Sequence, residues 1–282
     1  MKVVFLFVLM SISVYSSAQE KIYLWPGEVP GEVSGKKDPV NAESKNDNVL
    51  RIAEVTNPAL FVFPSGEPGS RHAGIIVCPG GGYNILAWDK EGTEIGAWLN
   101  KLGITAFVLQ YRVPQKRDGA LQDVQRALRI VRSEAQKWNI DPQKTGVMGF
   151  SAGGSLSARA ASRFNIKSYD PVDKRDSLSA RPDFALLIYP AYLDNGPDHS
   201  LTPELELSKA VPPVFIFQTE DDTYTNSSLV MMAALRQMKV PAELHVMPAG
   251  GHGYGLRKGN LAAETWPVLA ENWLNRQLSA AK

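Results

Sequence analysis

From Gly74 onward the chain alternates short strand-like runs with amphipathic stretches, and this alternation limits what it can fold into. Ile75-Ile76-Val77-Cys78, Thr105 to Leu109, Gly146 to Phe150, Phe184 to Tyr189, Val214 to Thr219 and Ala242 to Met247 read as strands. A run that is apolar at consecutive positions suits a strand buried on both faces. Between these runs, residues 90–102 place Ile95, Trp98, Leu99 and Leu102 at helical spacing and stop at Gly103. Residues 118–138 place Leu121, Val124, Leu128 and Val131 on one face and end before Asp141-Pro142. Ser151 opens a helix rich in Ala and Ser; Ser227 to Met238 and residues 261–278 give two more, the last with a kink expected at Pro267. Strands and helices in this order, with short connections, imply a mainly parallel central sheet with helices on both faces, a three-layer α/β/α sandwich.

Ahead of this region, Leu50 to Val55 and Ala59 to Phe63 read as two further strands, and the Gly/Pro-rich residues 19–49 as an irregular arm. Two polar insertions, 163–182 and 192–211, are placed to overhang a site. Residues 19–282 are expected to form one domain, and a hydrophobic content of 44% suits a sizeable core. A formal net charge of +1 gives no push toward nucleic acid or an anionic membrane. Residues 1–18 look like a secretory signal: Lys2, an apolar stretch from Val3 to Val14, then Ser16-Ser17-Ala18, with cleavage expected before Gln19. The stretch is shorter than the about 20 residues a spanning helix needs, so no stable membrane insertion is expected after cleavage. The lone cysteine, Cys78, lies far from that cleavage point, which argues against a lipoprotein and leaves no internal disulfide.

Gly149-Phe150-Ser151-Ala152-Gly153 falls between an apolar strand and a helix. That is the setting of a nucleophile elbow, which exposes the serine hydroxyl beside the positive end of a helix. A serine needs a base, and His252, in Ala249-Gly250-Gly251-His252-Gly253-Tyr254-Gly255, follows a strand and so reaches the same sheet edge. His245, His72 and His199 read as structural or surface groups. The base needs an acid to fix its tautomer, and Glu220-Asp221-Asp222 follows the strand Val214–Thr219. Asp221 is the choice and Asp222 the close alternative. Backbone amides of Gly81 and Gly82, in Pro79-Gly80-Gly81-Gly82, and of Ala152 would form an oxyanion hole. Tyr83, Trp88, Tyr192 and Tyr254 are candidate substrate walls. Neither H-E-x-x-H nor a cysteine cluster is present, so no metal or other cofactor is expected.

With these residues in place, the chain resembles the α/β-hydrolase superfamily and, within it, the bacterial acetyl-xylan-esterase and feruloyl-esterase-like branch. The segments that carry the resemblance are C-P-G-G-G-Y at 78–83, Y-R-V-P at 111–114, G-F-S-A-G-G at 149–154, Q-T-E-D-D at 218–222 and G-G-H-G-Y-G at 250–255. Pro79 stands where the lipase-like branch has histidine, and Gln218 where the acid loop usually has glycine. The resemblance implies an α/β-hydrolase fold and a triad of Ser151, Asp221 and His252. It also implies a serine esterase acting on small-molecule or carbohydrate esters, which the leader pattern of residues 1–18 would make secreted or periplasmic. A peptidase of the prolyl-oligopeptidase type and a non-catalytic carbohydrate-binding protein are the alternatives; oligomeric state has no signature.

Overall fold

The computed structural model describes residues 19–43, 46–65 and 72–279. The proposed signal sequence lies outside the described residues. In chain order the strands are β1 (Lys21–Tyr23), β2 (Val40–Asn41), β3 (Arg51–Ala53), β4 (Ala59–Phe63), β5 (His72–Cys78), β6 (Leu86–Ala87), β7 (Thr105–Gln110), β8 (Ile140–Phe150), β9 (Ala185–Ile188), β10 (Val214–Thr219) and β11 (Ala242–Met247). The α-helices are α1 (Glu94–Lys101), α2 (Arg117–Ser133), α3 (Ala152–Ser162), α4 (Thr225–Gln237) and α5 (Leu261–Ser279). An 8-stranded sheet has the order β1-β4-β7-β5-β8-β9-β10-β11, parallel from β7 to β11, with β4 and β1 added antiparallel.

The apolar runs form strands because both sheet faces are covered. In β5, Ile75 and Val77 enter the cluster built with Ile95 and Leu99 of α1 and Trp266 and Trp273 of α5. Ile76 and Cys78 enter the opposite cluster, with Leu121, Val124 and Leu128 of α2 and Leu156 of α3. Successive strand residues point to opposite faces, so four consecutive apolar residues serve two layers. Cys78, the last residue of β5, is buried, and burial pushes its thiol up to about 12.

Four features differ from the sequence reading. The helix over 118–138 ends at Ser133 and gives way to a 3₁₀ turn, Ala135–Trp138, closed by Asn139 in the left-handed region. β8 begins at Ile140 and runs through Asp141-Pro142. Its register against β5 passes from His72↔Ile140 to Gly74↔Thr145, so Pro142 occupies an irregularity where its missing N–H removes no ladder bond. The arm is not irregular throughout: β1 extends the main sheet, and β2 joins β3 and β6 in a small sheet. Of the two insertions, 163–182 leads from the end of α3 to the start of β9, the sheet edge opposite Ser151. It packs on α2 through Arg126 with Asp173 and Asp176, and so does not overhang the site. Insertion 192–211 leaves the same edge as Ser151.

The arm is fastened by a buried ion pair. Asp123 of α2 pairs with Arg112 at 3.0 Å, accepts the Trp25 Nε1–H at 2.9 Å, and accepts the backbone N–H of Arg112 at 3.0 Å. Arg112 also donates to the Pro30 carbonyl at 2.5 Å. Removing one partner strands a charge in the interior. Asp123→Ala is therefore expected to lower unfolding free energy by about 3–5 kcal/mol, read by urea denaturation.

Candidate active site

The end of β8 delivers Ser151 in a conformation few residues adopt, φ 53° and ψ −119°. Its neighbours explain why the flanking residues are glycines. A Cβ on Gly149 would lie 1.9 Å from the Gly153 carbonyl oxygen, and one on Gly153 would lie 2.0 Å from that of Cys78. Strand, helix and the end of β5 thus meet backbone to backbone, and the serine is forced outward at the start of α3.

His252 reaches it from the loop after β11. Its Nε2 lies 2.7 Å from Ser151 Oγ and its Nδ1 2.7 Å from Asp222 Oδ2. A carboxylate only accepts, so Nδ1 carries the proton and Nε2 keeps a lone pair for the serine hydroxyl. The Asp222 side chain is fully buried while that of His252 is 29% exposed. Asp222 also accepts from Gln218 Nε2 at 2.9 Å and from the Tyr224 backbone N–H at 2.9 Å.

The acid beside the imidazole is therefore Asp222 and not Asp221. Asp221 is exposed and turned to the histidine loop, accepting the backbone N–H groups of Gly250 at 3.1 Å and Gly251 at 2.9 Å. These bonds hold its carboxyl below the usual aspartate range. A depressed folded-state pKa means that this anchoring is present above the ordinary aspartate range and lost as pH falls through the lowered value. Gln218, the departure noted in the acid loop, donates to Asp222 and accepts from Ser228 Oγ at 3.1 Å.

On the other side of the serine, Gly80 is close enough that a Cβ there would lie 2.8 Å from Ser151 Cβ. Its amide donates to Glu91 Oε2 at 2.8 Å, which leaves the amides of Gly81 and Gly82 as this turn's donors for an oxyanion. Gly81 adopts φ 134°, and a Cβ there would meet the Ile85 carbonyl at 2.1 Å, so no other residue fits the turn. Ala152 is the first residue of α3, so its amide is one of those at a helix start without an intrahelical acceptor.

The four aromatic candidates separate. Tyr192 is half-buried, and its hydroxyl lies 3.5 Å from where a Gly82 Cβ would stand, which places it at the site. Tyr83 is completely buried, its backbone at φ 58° turning the ring into the core, and cannot face a substrate. Tyr254 is buried against Tyr189, ring centroids 4.5 Å apart. Trp88 packs edge-on against Phe61 of β4 at 4.8 Å, three strands along the sheet from β8. Tyr224, missed in the sequence, stands 4.9 Å from the His252 ring and 5.4 Å from Tyr192. Its place two residues after Asp222 was its one signal. His245 lies mid-strand in β11, 3.4 Å from Glu243, and His72 opens β5. His199 lies in an exposed turn. Among the described residues no cluster of His, Cys, Asp and Glu is arranged to hold a metal ion.

A carboxylate, an imidazole and a hydroxyl in line, with free amides opposite, can activate the hydroxyl toward a carbonyl carbon and hold the resulting oxyanion. The BD-FAE family pattern matches residues 62–181. The solved acetyl ester-xyloside bifunctional hydrolase of Caldicellulosiruptor lactoaceticus is similar at 31% identity and a TM-score of 0.75, over 94% of this chain and 98% of that one. The acetylxylan esterase of Xylanibacter ruminicola is 30% identical over 242 residues, 77% of this chain and 48% of that protein. Endo-1,4-beta-xylanase B of Butyrivibrio fibrisolvens is 33% identical over 223 residues, 70% of this chain and 34% of that protein. The chain thus spans about half and a third of those two curated relatives. It belongs to the α/β-hydrolase superfamily, in the branch that joins BD-FAE and acetylxylan-esterase-like proteins.

The two aspartates are separable by the reactivity of the serine alone. Asp222→Asn is expected to slow labelling of Ser151 by a fluorophosphonate about 10⁴-fold, because the imidazole loses the acceptor that fixes its tautomer. Asp221→Asn is expected to slow it less than about tenfold, since it loosens the loop and leaves the ring its partner.

Proposed function

We propose that this protein is an exported serine carboxylesterase that removes short acyl groups, acetyl foremost, from plant polysaccharide or oligosaccharide through an acyl-enzyme. The observation that carries this is the unbroken line Asp222–His252–Ser151, with both links at 2.7 Å. The elbow in which the line ends faces the Gly81-Gly82 turn. Ser151 Oγ attacks the ester carbonyl as its proton passes to His252 Nε2. The buried Asp222 stabilises the imidazolium, and the amides of Gly81, Gly82 and Ala152 take the oxyanion. Collapse transfers the proton to the leaving alcohol. Water, deprotonated by the same imidazole, then releases the acid and restores the serine.

The names of the relatives support an acetylated plant sugar. So does the rim, where Tyr192 and Tyr224 offer aromatic surface and the exposed amides of Asn84 and Gln115 offer donors and acceptors to hydroxyl groups. A net charge of +1 suits an uncharged polymer. The leader pattern of residues 1–18 supports export. Among the described residues no helix is long and apolar enough to cross a membrane.

Purified protein is expected to release acetate from acetylated xylan and to hydrolyse 4-nitrophenyl acetate. Ser151→Ala should lower kcat by on the order of 10⁴–10⁶. No turnover by the wild type, or equal turnover by the variant, removes the proposal. Expressed with its leader in a bacterium, the chain is expected to leave the cytoplasm and to give an N-terminal sequence beginning at Gln19; a cytoplasmic chain beginning at Met1 removes the export part alone.

A further inference from the structure

Glu91 is a buried carboxyl with no place in the reaction as written. It sits in a π-helical turn, Asp89–Thr93, where the Thr93 N–H reaches back to the Trp88 carbonyl at 2.9 Å before α1 begins. Such turns shift the side chains that follow relative to an α-helix. This one is pressed against two loops. A Cβ on Gly92 would lie 3.3 Å from Pro79 Cγ, and one on Gly255 would lie 2.9 Å from the Lys90 carbonyl.

The contacts of the carboxyl follow the same two directions. Oε2 accepts the Gly80 N–H at 2.8 Å, at the root of the Gly81-Gly82 turn. Oε1 accepts the Tyr189 hydroxyl at 2.9 Å, and the Tyr189 oxygen in turn accepts the Gly255 N–H at 3.1 Å, in the loop that carries His252. The Tyr189 ring stands edge-on to His252, centroids 5.2 Å apart. One side chain therefore joins the loops on either side of Ser151.

We propose that Glu91 is a positioning residue: its carboxyl clamps the glycine turn that offers the oxyanion amides to the loop that carries His252, so that both address the same acyl carbon. This rests on the ester-hydrolase reading above. Fixing the Gly80 peptide plane limits the planes of Gly81 and Gly82, because only two soft dihedrals separate successive peptides. Fixing Gly255 limits the His252 loop from its far end, while Asp221 holds the near end at Gly250 and Gly251. Burial raises the pKa of Glu91, and the clamp does not depend on its charge. A neutral carboxyl still accepts from Gly80 through its carbonyl oxygen, and its O–H can donate to the Tyr189 oxygen, which has a second lone pair for Gly255. Glutamine reproduces that pattern and alanine does not.

The experiment compares Glu91→Ala, Glu91→Gln and Tyr189→Phe with wild type, using 4-nitrophenyl acetate kinetics and amide hydrogen exchange without substrate. Glu91→Ala is expected to lower kcat by about 10- to 100-fold with KM within about twofold, the size of loss that small misplacement of reacting groups produces. Glu91→Gln should restore kcat to within about fivefold of wild type. Exchange should quicken in both 79–88 and 250–257 in the alanine variant. A folded Glu91→Ala protein with wild-type kcat, a loss confined to KM, a glutamine variant as impaired as alanine, or exchange that quickens in one loop only overturns the clamp. Should Glu91→Ala not fold, Tyr189→Phe removes one hydroxyl of the same chain of bonds. It is expected to lower kcat several-fold, and an unchanged kcat overturns the proposal. Absence of turnover in the wild type would remove the esterase reading, while the exchange comparison still tests whether the two loops are joined.

Discussion

Everything at this site depends on a contact between backbones. The carbonyls of Cys78 and Gly153 stand where side chains on Gly153 and Gly149 would otherwise be, so β5, β8 and α3 converge with nothing but peptide between them. That approach leaves Ser151 no relaxed conformation, and the strain of φ 53°, ψ −119° is held by the packed layers on either side of the sheet. The bonds from Ser151 N–H to the Ile188 carbonyl and from the Ala191 N–H to the Ser151 carbonyl, both 3.1 Å, tie the same residue to the end of β9. The serine is therefore fixed by the sheet, and the histidine and the Gly81-Gly82 turn have to be brought to it by loops.

Those loops are held by acids with separate tasks. Asp222 is buried and bonds the imidazole ring; Asp221, exposed, ties the backbone just before it; Glu91, buried on the far side, bonds the glycine turn and, through the Tyr189 hydroxyl, the chain just after the histidine. Each carboxyl serves groups that its own strand or turn brings near. Their work differs because a ring needs one well-placed acceptor, whereas a glycine-rich loop needs its amides satisfied along its length.

The layered fold was legible because strand-like runs alternate with amphipathic stretches along the chain, most plainly at residues 75–78, which are buried on both faces. Ala59–Phe63, Val214–Thr219 and Ala242–Met247 were bounded to the residue, and the serine and histidine were found because each follows such a strand. What lay hidden turns on local geometry. Asp221 and Asp222 are chemically alike, and a turn in which the Asp222 N–H meets the Thr219 carbonyl at 3.4 Å decides which faces the ring. Tyr83 adjoins Gly81 and Gly82 in sequence, yet a left-handed backbone buries it. Glu91 lies in the 90–102 stretch read as a helix, and no sequence pattern announced the π-turn that points it inward. The arm's first strand was missed since three residues, Lys21–Tyr23, carry too little periodicity to be read.

Cys78 shows what this packing means for a chain with a single thiol. Its carbonyl abuts the nucleophile's helix, and its sulfur lies in the core between β5 and that helix, with burial holding the thiol up to about 12. At neutral pH almost none of it is thiolate, the form that alkylating reagents and disulfides require. In an oxidising compartment the folded protein would thus resist mixed-disulfide formation without any reductant. The sulfur also becomes a built-in gauge of integrity: a maleimide that reaches it reports that the elbow itself has come apart.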